Sequence, residues 1–182
     1  MCKALRVAGD KHAFWAGYPS KTLPPRAFDP VGVEFITGSI SAQTAGEVQQ
    51  LTMRKDAPLR PLFVHDKPDG SMACSLGMTL MHGMKSAFVL KETGDPAKAR
   101  AARNPELAPH LAFVDHAGHG YVTVRASPDE LETEFVCIPI PFERSETDDG
   151  GPLLYRVAHR VSLWKAGERP RLRQEVLEGD PG

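Results

Sequence analysis

Val7-Ala8-Gly9-Asp10-Lys11-His12-Ala13-Phe14-Trp15-Ala16 is the stretch on which the reading of this chain turns. The run from Leu5 to Ala8 reads as a short strand, and Gly9 lets the backbone turn sharply out of it. A carboxylate and an imidazole then stand two residues apart, followed by the aromatic pair Phe14-Trp15. Side chains at i and i+2 of an extended segment point to the same side. Asp10 and His12 would then offer one oxygen and one nitrogen to a hard divalent or trivalent metal. Two donors do not make a site, because such metals take about four to eight. The competing reading is an Asp in a turn, with a His packed near Phe14 and Trp15.

Outward from this run the chain changes character twice. Residues 18–30 carry Pro19, Pro24, Pro25 and Pro30 and read as an ordered loop. Val31 to Thr37 is β-branched and aromatic, a buried strand, closed by the turn-capable Gly38-Ser39-Ile40-Ser41. A short helix is expected near 44–55, then a polar loop with Pro58, Pro61, Pro68 and Gly70. Residues 73–92 read as one helix, with Leu76, Leu80, Met84 and Phe88 at steps of four and Met72, Met78, Met81 and Met84 as core filler. Gly94 suits its end, and Asp95-Pro96 suits the start of a short helix to Arg103.

After residue 110 the period becomes that of strands. Leu111–Val114 and Tyr121–Arg125 are strand candidates either side of a Gly118-His119-Gly120 turn. Ser127-Pro128-Asp129-Glu130 is a compact turn. Leu131, Thr133, Phe135 and Cys137 alternate with Glu132 and Glu134, a half-buried strand. Beyond the acidic loop 143–151, Leu153, Tyr155, Val157, Val161 and Leu163 share one face and Arg156, Arg160 and Ser162 the other. Leu172 to Leu177 completes an antiparallel meander. The expected class is α+β.

Composition narrows the function. The 182 residues suit one domain, or one part of a larger one. Hydrophobic content of 41% and charged content of 25% are ordinary for a globular chain. A net charge of -1 gives no global pull toward nucleic acid or an anionic membrane. The late basic residues Arg156, Arg160, Lys165, Arg169, Arg171 and Arg173 alternate with Glu168, Glu175 and Glu178, as on a solvated face. No signal-peptide pattern and no membrane-spanning apolar run is visible. Cys2, Cys74 and Cys137 are odd in number and far apart, which fits buried thiols in a reduced compartment better than a disulfide framework or a CxxC zinc site. Nucleophile elbows, P-loops and Rossmann glycine patterns do not occur.

A second cluster offers metal-ligating groups as Asp10 and His12 do. His110, Asp115, His116 and His119 fall within ten residues and could be metal ligands, but no second acidic cluster stands near a His to complete a shell; a self-sufficient enzyme would use His110, Asp115 and His116. The plainer reading makes them surface groups, with His119 decorating a hairpin. His159 falls on the apolar face of its strand and reads as a hydrogen-bonded core residue.

Gly9-Asp10-x-His12-x-x-Trp15-Ala16, then Val33-Glu34-Phe35-Ile36-Thr37-Gly38-Ser39-Ile40-Ser41, resembles the C-terminal part of the alkaline phosphatase D (PhoD-like) metallophosphatase family. Pro109-His110-Leu111-x-Phe113-Val114-Asp115 is similar to that family's Asn-Pro-His-x-Lys-Phe segment, with Ala108 and Ala112 in place of the Asn and Lys. Gly120-Tyr121 and the strand Leu131 to Val136 resemble the family's segments downstream of that Pro-His. The family's first ligand groups lie in Asp-rich segments upstream of the motif.

The resemblance implies a β-sandwich-type core flanked by helices, present in residues 1–182 as the C-terminal part of one such domain. It implies a phosphomonoester or phosphodiester hydrolase with a multinuclear centre of calcium and iron. Asp10 would be a metal ligand, His12 a metal ligand or a catalytic group contacting phosphate, and Trp15 a wall residue. A chain holding only this part would be inactive or nearly so alone, and a partner chain could supply the N-terminal half. The alternative is a non-catalytic remnant or interaction domain. Family members are often secreted or periplasmic.

Overall fold

Alternation of apolar and polar side chains builds most of the molecule, because a strand with one apolar face must bury that face against another. The computed structural model describes residues 4–141, 146, 152–165 and 167–181. The expected acidic loop 143–151 lies almost wholly outside these. Among the described residues the chain is α+β, with two four-stranded sheets, a small hairpin and four short helices.

The first sheet is mixed. Strands β1 (Ala4–Ala8), β2 (Phe14–Gly17), β3 (Gly32–Ile36) and β6 (Leu111–Asp115) lie in the order β1-β3-β2-β6. β1 runs parallel to β3, and β2 runs antiparallel to β3 and β6. β2 occupies four residues for which the sequence pattern predicts no element. The second sheet is the expected meander: β7 (His119–Ala126), β8 (Glu130–Ile138), β9 (Tyr155–Ser162) and β10 (Leu172–Gly179), in the order β10-β9-β8-β7.

The two sheets meet across one aromatic core. Phe14, Val33, Phe35 and Phe113 from the first face Phe135, Tyr155, Val157 and Val161 from the second. Phe135 sits at the centre, its ring 5.3 Å from Phe14, 5.6 Å from Phe113 and 6.3 Å from Phe35. Such contacts add specificity of geometry to the burial that drives them. On the other face of the meander, ion pairs run from strand to strand: Glu134–Arg156, Glu132–Arg160, Arg160–Glu175 and Glu130–Arg173. The late basic residues Arg156, Arg160 and Arg173 therefore meet carboxylates of neighbouring strands.

Between β3 and β6 the chain makes α1 (Ala45–Thr52), the hairpin β4 (Val64–Asp66)–β5 (Met72–Cys74), and helices α2 (Leu76–His82), α3 (Met84–Thr93) and α4 (Pro96–Ala101). The single helix expected over 73–92 is instead a strand end and two helices. Gly83, at φ 100 and ψ 166, breaks it. Its conformation is not helical, and apolar periodicity does not register one such residue when the pattern resumes behind it. The Asn104 amide donates to the His82 carbonyl at 3.0 Å, satisfying a group that the break leaves open. Gly94 in the left-handed region and Asp95, whose side chain accepts from the Ala97 and Lys98 amides, end α3 and start α4 as expected.

Candidate functional site

Asp10 and His12 lie in the turn between β1 and β2. That turn is not extended, as the spacing argument assumed. His12 has φ 51, a left-handed conformation rarely taken by non-glycine residues, so the two side chains do not share a strand face. Asp10 is exposed. The His12 ring lies with Nδ1 3.2 Å from the Gln43 carbonyl oxygen. The Thr37 amide donates to the Ala8 carbonyl at 2.9 Å, bringing the loop after β3 against the turn after β1.

The second histidine cluster is split by its strand. β2 pairs Gly17 with Leu111 and Phe14 with Asp115, so His110 lies beyond one end of β6 while Asp115 and His116 lie at the other, beside the Asp10–His12 turn. A strand of that length separates its ends by roughly 15 Å. Nor is Gly118-His119-Gly120 a hairpin turn. β6 and β7 belong to different sheets, and His119 and Gly120 already form the start of β7. His119 is 3% exposed and bridges to Ser39.

Asp115 organises this end. Its Oδ1 accepts from the Ala117 and Gly118 amides at 2.9 and 3.0 Å, and its Oδ2 accepts from the Tyr155 hydroxyl at 2.6 Å. Burial, together with the charge of Asp115, pushes the Tyr155 phenol far above its ordinary range. The same causes raise the Cys137 thiol to about 12, and burial raises Cys74 to about 11. Neither thiol is a thiolate nucleophile at neutral pH.

Sequence reasoning misses Glu47, though Thr44-x-x-Glu47 is a recognisable capping box. The Thr44 amide donates to Glu47 Oε2 at 2.7 Å, and the Glu47 amide donates to Thr44 Oγ1 at 3.2 Å. Glu47 Oε1 lies 3.1 Å from His119 Nε2, close enough for an ion pair but off the line of a good hydrogen bond. Burial works against ionisation of Glu47, but Thr44 and His119 outweigh it and hold the carboxyl below its usual range.

His116 is different again. It is 3% exposed, and neither ring nitrogen has a hydrogen-bond partner. Its ring stands edge-on to Trp15 at 5.2 Å, and the indole nitrogen of Trp15 is likewise buried without a partner. Burial, and then the positive charge of Lys11, keep this imidazole below its ordinary pKa, so it is neutral near pH 7.

The donors at hand do not complete a calcium or iron shell. Among the described residues, no three His, Cys, Asp or Glu side chains gather as metal ligands would. Asp115 has both oxygens engaged, and Glu47 Oε2 is committed to its cap.

No family model matches the chain, and no curated protein matches it. A solved structure described as "Structure of PhoD" is similar to 97% of this chain, at 15% sequence identity and a TM-score of 0.44. The chain spans 22% of that protein's length.

Proposed function

We propose that the chain is the C-terminal portion of a metal-dependent phosphomonoester or phosphodiester hydrolase resembling alkaline phosphatase D, inactive or nearly so by itself. One observation carries the reading. Parts of the segments bearing the sequence resemblance are far apart along the chain, yet adjoin at one end of the first sheet. These are the Gly9–Ala13 turn, the Gly38–Ser41 turn, and Asp115 and Gly120, where the two later segments end and begin; Pro109 and His110 lie at the other end of β6. A phosphate ester presents anionic oxygens that need donors and positive charge around them. His12 gives its Nδ1–H to the Gln43 carbonyl and so offers its Nε2 lone pair to a metal, Lys11 adds positive charge for a phosphate oxygen, and the exposed Asp10 carboxylate is an oxygen ligand for a cation held jointly with groups from elsewhere. Calcium and iron are the metals the resemblance implies.

Calorimetric titration of the chain with calcium, beside a p-nitrophenyl phosphate assay, tests this. Weak binding is expected, lost in both Asp10→Ala and His12→Ala, with negligible hydrolysis. Equal heats from all three proteins would remove Asp10 and His12 from the site. Rapid turnover by the chain alone would remove its dependence on a missing part.

A second reading has one observation in its favour. Among the described residues β1 pairs only with β3, and Leu5 and Val7 on it are 48% and 51% exposed. A non-catalytic interaction domain would use that edge, and its assembled complex would be indifferent to Asp10→Ala.

A further inference from the structure

α2 packs against β6, and α3 and α4 pack in turn beside α2, but the three helices do not fill the space next to the strand. They leave a cavity of about 860 Å³, a size at which small organic molecules are commonly bound. Residues 9–13 take no part in its lining, although Asp115 and His116, which stand beside the Asp10–His12 turn, belong to its wall. Its walls include Met78, Met81, Leu90 and Phe113, an apolar surface with adaptable thioethers. Two features of its polar lining are unbalanced. His116 lines the cavity with both ring nitrogens unpartnered, although only 3% of the residue is exposed. Such a group costs stability unless something in the cavity satisfies it. Arg100 and Lys67 also line it; Asp69 feels the charge of Lys67, whereas Arg100 forms no ion pair with a carboxylate among the described residues.

The carboxylates in the same lining are turned to other work. Asp115 is held by the Ala117 and Gly118 amides and the Tyr155 hydroxyl, and Asp69 Oδ1 takes both donors of Ser71. His82, also in the wall, feels the positive charge of Arg100 and Arg103, so the α4 side of the cavity is cationic.

We propose that this cavity binds an elongated organic anion, with an apolar body among Met78, Met81, Leu90 and Phe113, a carboxylate head at Arg100, and a hydroxyl or carbonyl group meeting His116. Arg supplies the fork that a carboxylate fits, and a neutral imidazole can both donate to and accept from a hydroxyl. An uncharged alkane would leave both imbalances standing.

Calorimetry with dodecanoate, 12-hydroxydodecanoate and 1-dodecanol, each below its aggregation limit, tests the assignment. One molecule of either carboxylate per chain is expected, and 1-dodecanol should bind at least roughly tenfold more weakly. Arg100→Gln, on a short and partly exposed helix, should erase that preference. His116→Phe should erase any advantage of the hydroxylated chain. Met81→Trp should fill the cavity and abolish binding, with circular dichroism checking that it folds. Absence of saturable binding to the wild-type chain overturns the proposal, as does affinity for dodecanoate that Arg100→Gln leaves unchanged. Asp10→Ala and His12→Ala should leave these affinities untouched, so this result and the phosphatase reading stand or fall separately.

Discussion

His159 shows how much one buried ring can govern. It is 0% exposed, 4.7 Å from the Phe135 ring, with Nε2 3.2 Å from Gln174 Oε1 and Nδ1 without a partner. Burial lowers its pKa to about 4, against the opposing pull of Gln174. In the unfolded chain an imidazole takes its proton near 6.5. Above that pH both states are neutral and the full stability is present. Between about 6.5 and 4 the unfolded chain gains a proton that the folded one refuses, and about 3 kcal/mol is lost. Burial lowers His65, His82, His110 and His116 in the same direction. Urea unfolding at pH 7.5 and pH 4.5 should therefore show a large acid loss, smaller in His159→Gln. An identical loss in the variant would place the acid sensitivity elsewhere. The place of His159 was legible, because strand alternation put it on the apolar face. The burial of His116 was not, since it arises from α1, whose Gly46 amide donates to the His116 carbonyl, and from Trp15 standing against the ring.

At the scale of elements, local chemistry was readable and long-range pairing was not. The Thr44 capping box starts α1 and also holds Glu47 where it meets His119 of β7. Thr44→Ala should cost about 1–2 kcal/mol, read as a lower urea midpoint with an unchanged slope. A shift below a few tenths would mean that water replaces the cap without loss. Whereas the Thr44 box went unread, Gly94, Asp95 and Pro96 were legible because caps act within one turn of chain. So were β8 and β9, whose alternation is long enough to register. β2 is only four residues, and β4 and β5 are three each, too short for a period to show. The parting of β6 from β7 is decided by partners many residues away. Asp10 and His12 were legible as a motif, but their turn geometry was not. A spacing of two says strand face only if the backbone is extended, and the left-handed His12 is not.

Across the whole molecule, the open edge at β1 is the exposed flank of the first sheet. Among the described residues the alternate amides and carbonyls of β1 that do not bond β3 lie along this edge, with Leu5 and Val7 beside them. Unprotected edges pair with whatever strand arrives. The isolated chain should therefore self-associate as its concentration rises, and Val7→Lys should shift it toward monomer in sedimentation velocity. An unchanged distribution would mean the edge is not the contact. The central cluster carries a different consequence. Phe14 and Phe35 leave the ribosome before Phe113, Phe135 and Val157, which cover them. The gap is roughly 100 residues, so at ~5–20 residues per second a ribosome holds those rings uncovered for about 5–20 s. For that interval every nascent copy has the buried half of its core in water, and its fate in a crowded polysome depends on what shields two phenylalanines before their partners exist.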